Sequence, residues 1–301
     1  MSRRLLQRCR PARCLLSWGA MSKKKSRPQP FPAPEITGIV DAHTHLTSCR
    51  GSSIAEFVER AIAGGIGEIC TVGDDLAEAE LALQAARQHH NLHAACAIHP
   101  TKAHQLDENA KIRLSEMARD ENCVAIGETG LDSYWIEHSP ESTATLEQQE
   151  ASLRWHTQLA REVGKTLMIH NREADADLLR ILDDEPAPPQ VMLHCFSSSA
   201  AMAREAIDRG WILSFAGNVT FKRNDELRKA ASLVPKGQLL IETDAPFMTP
   251  EPFRGAPNEP SLVGHTALCV AQQRGQSPEE LAAEVRETYY RVYGLATESA
   301  S

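Results

Sequence analysis

The feature that most constrains the fold is a regular alternation of short apolar runs with longer amphipathic stretches from residue 36 onward. Runs that are apolar nearly throughout are typical of strands buried on both faces. The sequence predicts eight such strands, at Gly38–Asp41, Glu68–Val72, His93–Ile98, Val124–Gly127, Thr166–His170, Val191–Cys195, Ile212–Phe215 and Leu239–Thr243.

Amphipathic stretches of helix length separate these strands and follow the last one. They lie at Ile54–Ala63, Asp75–His89, Asp107–Arg119, Thr145–Val163, Ala174–Leu182, Ser199–Asp208, Asn224–Leu233, Leu262–Gln272 and Pro278–Tyr289. Strands that are each followed by a helix, with no hairpin signal, predict an α/β fold of the (β/α)₈ TIM-barrel type. A doubly wound open sheet is the competing topology. Residues 35–301 are predicted to form a single domain.

The first 34 residues differ from the rest in charge, since they contain nine Lys or Arg and no acid. This basic composition without apolar periodicity predicts a disordered N-terminal extension. Its first twenty residues fit either a transit peptide or a dispensable extension before a second start at Met21. Residues Lys23–Arg27 also fit a tail that binds nucleic acid.

The remaining residues are strongly acidic, with 23 Lys or Arg against 40 Asp or Glu and a net charge of −17. Such a charge disfavours broad electrostatic capture of nucleic acid, although bound divalent cations would invert the potential locally. No run approaches the roughly 18 apolar residues of a membrane span. The eight cysteines form no CxxC pair and no signal peptide is evident, so we expect a cytoplasmic location, with organellar targeting as a minor alternative.

Metal-ligating side chains follow five of the predicted strands. Two histidines alternate in Asp41-Ala42-His43-Thr44-His45, and residues i and i+2 of a strand share a face. Because the carboxyl ends of barrel strands surround one mouth, the later side chains are expected to meet this pair there. The candidate ligands are His43, His45, Glu128, His170, His194 and Asp244.

Four imidazoles and two carboxylates exceed the ligands that one tetrahedral ion requires, and they fit two ions that share a bridging carboxylate. Glu128 is the predicted bridge and a catalytic residue. His43, His45 and Asp244 are expected at one ion, and His170 and His194 at the other. Asp244 is the predicted general base, which takes a proton from the attacking water.

Five motifs resemble the TatD family of metal-dependent hydrolases, within the amidohydrolase-like barrels. They begin at Asp41, Gly127, Ile169, Leu193 and Glu242, and the resemblance covers residues 38–290. It implies a barrel, a two-metal site at the six positions above and hydrolysis that is often directed at DNA phosphodiesters. Position 256 is Ala where the family usually has Lys, which removes a cation that could hold a phosphate.

Three further residues are candidates for substrate binding: His99, Arg172 and Arg254. A guanidinium can contact a phosphate with two hydrogen bonds, although an ion pair of Arg172 with Asp175 is an equal alternative. Tyr134 and Trp135 fit either stacking on a base or packing of their own loop.

Glu242 shares a strand face with Asp244 and is expected to orient a ligand histidine.

The leading hypothesis is therefore a phosphodiesterase with two divalent cations, Mg, Zn or Mn, that trims an end of DNA. The alternative is hydrolysis of a small carbonyl substrate such as a lactone, amide or ester by the same site. A third interpretation is a metal-stabilised scaffold without activity. The sequence predicts no membrane association and does not specify the oligomeric state.

Overall fold

The computed structural model describes residues 29–296 and confirms the predicted barrel architecture. All eight strands lie in one parallel sheet in the order β1 to β8. The strands are β1 Ile39–Thr44, β2 Ile66–Val72, β3 Leu92–Ala95, β4 Cys123–Asp132, β5 Thr166–Arg172, β6 Val191–Leu193, β7 Ile212–Phe215 and β8 Leu239–Ile241.

Ten α-helices lie within the described residues, and nine of them match predicted helices. They are α1 Ile54–Ala63, α2 Leu76–Ala86, α3 Glu108–Met117, α4 Ser133–His138, α5 Leu146–Val163, α6 Asp175–Asp184, α7 Ala200–Asp208, α8 Asp225–Leu233, α9 Val263–Arg274 and α10 Pro278–Val292. The sequence analysis treated α4 as loop, because a helix of six residues is too short to show a periodic pattern.

The two ends of the sheet meet through hydrogen bonds between the carboxyl end of β1 and the segment that follows β8. The backbone N–H of Asp244 donates to the carbonyl of His43 at 3.0 Å, and that of His45 donates to Ala245 at 2.7 Å. The buried carboxylate of Asp41 also accepts hydrogen bonds from the N–H and the hydroxyl of Thr243, at 2.8 and 2.6 Å. These bonds bring the residues after the first and last strands together at the mouth.

Helix boundaries follow local capping signals in the sequence. Helix α5 begins with a capping box, in which Thr145 and Gln148 each bond the other's backbone N–H, and it ends at Gly164 with φ of 70°. Glycine adopts this left-handed conformation without strain, which is why it commonly ends helices. Among residues 29–296, no helix combines the length and the apolar character that crossing a membrane requires.

The described part of the N-terminal extension lies against the barrel. The ring of Phe31 contacts Phe253 with centroids 4.9 Å apart, and its carbonyl oxygen accepts a hydrogen bond from His265 at 2.9 Å. Phe31 therefore contacts the segment that follows β8. The predicted disorder of residues 1–28 lies outside the described residues.

Candidate metal centre

Strands β1 and β4 are irregular at the points where they carry candidate ligands. The register of β1 with β2 shifts between Asp41 and Thr44, and that of β4 with β5 shifts between Ile126 and Thr129. Such irregularities redirect side chains and are frequent beside active sites. The two shifts enclose His43 and Glu128, the candidate ligands of these strands.

Gly130 permits the close approach of β4 to β5 at the mouth. Its φ is 139°, and a Cβ atom there would collide with the carbonyl oxygen of His170. Only glycine combines this backbone conformation with the absence of a side chain. Strand β4 can therefore continue to Asp132 beside the candidate ligand on β5.

Four side chains bring one ligand atom each to a common point, and we call them the first ligand group: His43, His45, Glu128 and Asp244. The Nε2 atoms of the two histidines lie 3.0 Å apart. Each lies 3.4 Å from Oε2 of Glu128 and 3.6 Å from Oδ1 of Asp244.

The second ligand group consists of His170, His194 and the other carboxylate oxygen of Glu128. Oε1 of Glu128 lies 2.8 Å from Nδ1 of His170 and 2.8 Å from Nε2 of His194. These two nitrogens are 3.3 Å apart. Glu128 thus has one carboxylate oxygen in each group. The role of a bridge between two ions stays a prediction.

Three of the four histidines in these groups have a carboxylate beside the ring nitrogen that faces away from Glu128. His170 Nε2 is 3.0 Å from Asp132 Oδ2, and His194 Nδ1 is 3.3 Å from Glu242 Oε1. His45 Nδ1 is 3.2 Å from Asp74, without hydrogen-bond geometry. A carboxylate at this place fixes the ring and makes the imidazole a stronger ligand.

The clustered charges shift the protonation of the imidazoles. Burial lowers the pKa of His45, but hydrogen bonding to Asp244 and the charge of Glu128 outweigh it and raise the pKa to about 9. The pKa values of His170 and His194 are also raised, because their carboxylate neighbours outweigh burial. Burial and the neighbouring His194 hold the pKa of His43 well below its usual value.

Glu128 is suited to bind cations because it is buried and anionic. Burial raises its pKa, but the charge of His194 and hydrogen bonds from His170 and His194 outweigh this and hold the pKa well below its usual range. Its Oε2 atom is buried and accepts no hydrogen bond within residues 29–296. An unpaired buried anionic oxygen is costly, and a divalent cation in the first ligand group would satisfy it. The residues present therefore fit a metal site.

Comparisons with known proteins agree with this chemistry. The profile of the family described as TatD related DNase matches residues 40–294. A relative from Mycobacterium tuberculosis, named as an uncharacterized metal-dependent hydrolase TatD, is 45% identical over 260 residues, which are 85% of this chain and 98% of the relative. The chain belongs to the TatD family. It is a metal-dependent hydrolase.

Other TatD relatives include a protein from Citrobacter koseri named 3'-5' ssDNA/RNA exonuclease TatD. It is 31% identical over 249 residues, which are 80% of this chain and 93% of the relative. Among solved structures, the TatD homologue YJJV from Escherichia coli superposes with a TM-score of 0.78 at 24% identity, over 86% of this chain and 98% of that one. This likeness supports the barrel fold.

Five of the six candidate ligands, all except His43, line a cavity of about 580 Å³ at the barrel mouth. His99 and Arg172 both line this cavity, as the sequence analysis expected of substrate-binding residues. Arg254 does not line it, and its guanidinium lies 4.3 Å from the centroid of Phe221. Ala256 does not line the cavity either.

Arg172 is held by an aromatic ring rather than by the ion pair with Asp175 that the sequence left open. Its guanidinium carbon lies 3.8 Å from the centroid of Tyr134, while Asp175 accepts hydrogen bonds from Asn171 and Ser198. Tyr134 does not line the cavity. Trp135, which is 39% exposed, does line it.

The sequence analysis missed the roles of Asp74 and Asp132. Both follow or end a strand, like the ligands, so their position was a usable signal. Their contacts with His45 and His170 depend on side chains from different strands. Glu242 was expected to orient a histidine, and it lies behind His194.

Proposed function

We propose that this protein hydrolyses phosphodiesters of DNA with two divalent cations and removes nucleotides from one end of the chain. The observation that carries the proposal is the position of Glu128, whose two oxygens belong to two separate ligand groups. A carboxylate shared between two cations is typical of hydrolytic centres that hold the attacking and leaving oxygens of a phosphate.

The cations would polarise the phosphoryl oxygen and acidify a water molecule near neutral pH. Glu128 would contribute one oxygen to each group, and the histidines would supply the remaining ligands. Asp244 is the proposed general base because its carboxylate lines the cavity and belongs to the first ligand group. A base within hydrogen-bond reach of the water accepts its proton as the phosphorus is attacked.

The cavity supports a chain end as the substrate. Glu128 is 2% exposed and His194 is 5% exposed, so a phosphodiester must enter the cavity to reach them. A single-stranded end can do so more readily than the interior of a duplex. Arg172 offers hydrogen bonds to a phosphate, and Trp135 offers a face on which a base can stack.

The name of the Citrobacter koseri relative supports an exonuclease and leaves RNA as a second nucleic acid to test. Ala256 removes a cation that could hold a phosphate, but this residue does not line the cavity. The cytoplasmic location expected from the sequence stays a prediction.

The test is nucleotide release from end-labelled DNA with Mg, Mn or Zn. We expect release that needs the metal, stops on chelation and falls about 10²- to 10⁴-fold in Asp244→Asn, since a general base contributes this much. His194→Ala should abolish it. The exposed His90 provides a matched control, and His90→Ala should retain full activity.

Labels at the two ends of the DNA give the direction of removal, and parallel reactions with RNA and with a panel of lactones and esters test the other substrates. Metal-loaded protein that leaves single-stranded and duplex DNA intact with all three metals would contradict the proposal.

A further inference from the structure

Each histidine around Glu128 has one ring nitrogen that faces Glu128, the front nitrogen, and one that faces away, the rear nitrogen. The hydrogen-bond partner of the rear nitrogen determines whether the front nitrogen carries hydrogen. A neutral imidazole carries one hydrogen, so a ring that donates from one nitrogen has a free lone pair on the other. His170 has Asp132 behind it, and His194 has Glu242 behind it. Carboxylates can only accept, so both rear nitrogens carry hydrogen and both front nitrogens are free to bind a cation.

His43 follows the same pattern with a weaker acceptor. Its rear nitrogen Nδ1 lies 3.1 Å from the sulfur of Met168. A thioether sulfur accepts hydrogen bonds but cannot donate them. The hydrogen of His43 therefore belongs on Nδ1, and its front nitrogen Nε2 is free for the first ligand group.

His99 has the opposite arrangement. The backbone N–H of Thr101 donates to Nδ1 of His99 at 3.2 Å, and the Thr101 hydroxyl lies 2.7 Å from the same nitrogen. A backbone N–H is always a donor, so Nδ1 must present its lone pair. The hydrogen of His99 is therefore on Nε2, which faces Oε1 of Glu128 at 3.3 Å.

The backbone around His99 is fixed on both sides. The N–H of His99 donates to the carbonyl of Asp74 at 3.0 Å, and the N–H of Ile98 donates to the buried His156 at 3.3 Å. The carbonyl of His99 accepts the N–H of Lys102 at 2.8 Å. These bonds hold the ring with Nε2 directed at the second ligand group.

We propose that His99 is a hydrogen-bond donor to the substrate and not a metal ligand, although its Nε2 lies close enough to Glu128 and His170 to be grouped with them. This rests on the proposed function, under which the acceptor is a non-bridging oxygen of the scissile phosphate. Ligation by Nε2 would move the hydrogen to Nδ1, opposite the N–H of Thr101. A neutral donor beside the second ligand group stabilises the charge that develops on the phosphoryl oxygens.

The experiment compares manganese-loaded wild type, His99→Ala, His99→Gln and His170→Gln by metal analysis and by calorimetric titration with inorganic phosphate. We expect His99→Ala to keep the wild-type number of metal ions and to bind phosphate about 10- to 100-fold more weakly, as for a lost hydrogen bond to an anion. His99→Gln keeps an N–H donor and should recover part of the affinity. His170→Gln should lose metal.

The matched control is His104→Ala, an exposed histidine of the same segment, which should leave metal content and phosphate affinity unchanged. Nitrogen NMR of the histidine rings gives an answer that needs no variant, since it should show hydrogen on Nε2 of His99 in the loaded wild type.

The proposal is overturned if His99→Ala loses one metal ion per chain, if it binds phosphate like the wild type, or if the wild type binds no phosphate. Hydrogen on Nδ1 of His99 would overturn it as well. None of these measurements uses DNA. Phosphate binding and the expected NMR result without nucleotide release would therefore contradict the proposed function and leave the role of His99 intact.

Discussion

Asp132 shows how a residue outside both ligand groups can control the metal centre. One carboxylate oxygen lies behind His170, and the other accepts the N–H of Trp135 at 2.8 Å. Its own N–H donates to Gln149 of helix α5 at 2.7 Å. The contacts of Asp132 therefore link the orientation of His170 to helix α4, which carries Trp135.

We predict that Asp132→Asn weakens metal binding or activity about 10- to 100-fold, because an amide neither fixes nor strengthens the imidazole as a carboxylate does. Metal titration of the purified variant measures the effect. Asp183→Asn, at a carboxylate that is 57% exposed on α6, is the control and should behave like the wild type. Equal metal affinity in the two variants would show that Asp132 does not support His170.

The candidate ligands could be selected from the sequence because each one lies at or just after the end of a predicted strand, which is a local property. Asp74 follows a strand too, but aspartates are common in loops, and nothing in the sequence pairs it with His45. Arg172, which the sequence offered as a substrate-binding candidate, lines the cavity. Its stacking on Tyr134 could not be foreseen, because it depends on the short helix α4.

At the scale of elements, helix α5 is coupled to the mouth by a buried histidine. His156 donates from Nδ1 to the carbonyl of Ser152 at 2.8 Å and accepts the N–H of Ile98 at Nε2. Burial lowers its pKa to about 4, from an ordinary value of 6.5. The folded protein therefore keeps this ring neutral where the unfolded chain protonates it.

This predicts a loss of stability at acid pH. Between pH 6.5 and about 4 the unfolded chain binds the extra proton, so the free energy of unfolding falls as the pH falls, by about 3 kcal/mol in all from this residue. In His156→Gln, the free energy of unfolding should depend less on pH in this range. Urea denaturation of the metal-free proteins at several pH values measures this dependence. Parallel plots of the free energy of unfolding against pH for wild type and variant would show that His156 is not its cause.

Most element boundaries were predictable because capping residues and apolar runs are local signals. Differences concentrate at strand ends near the mouth. Strand β4 runs to Asp132, five residues beyond its predicted end at Gly127. Its continuation pairs with β5 through a shift of register that no local pattern indicates.

At the scale of the whole molecule, the barrel gathers acidic and imidazole side chains from distant parts of the chain around one cavity. Their burial is unfavourable unless a positive charge compensates the carboxylates. Because a ligand that binds only the folded state stabilises it, metal binding should contribute to the stability of the whole barrel.

We predict that chelation lowers the melting temperature. A cation at about 100 times its dissociation constant adds about 2.7 kcal/mol at one site, which corresponds to roughly 5 °C for a barrel of this size. Calorimetry with and without chelator measures the change. Glu128→Ala removes the bridge, so its melting temperature should respond little to chelator. An equal response in that variant would indicate that the stabilising metal binds elsewhere.

The sequence by itself determined the succession of strands and helices, the barrel and the candidate ligands, because apolar periodicity and strand ends are local features. Only the tertiary structure decided which atoms meet: the two oxygens of Glu128 in separate groups, the acceptors behind the ligand histidines and the donor behind His99. The physical reason is that these contacts join strands far apart in the chain. Their distances depend on sheet register and closure, which no single segment encodes.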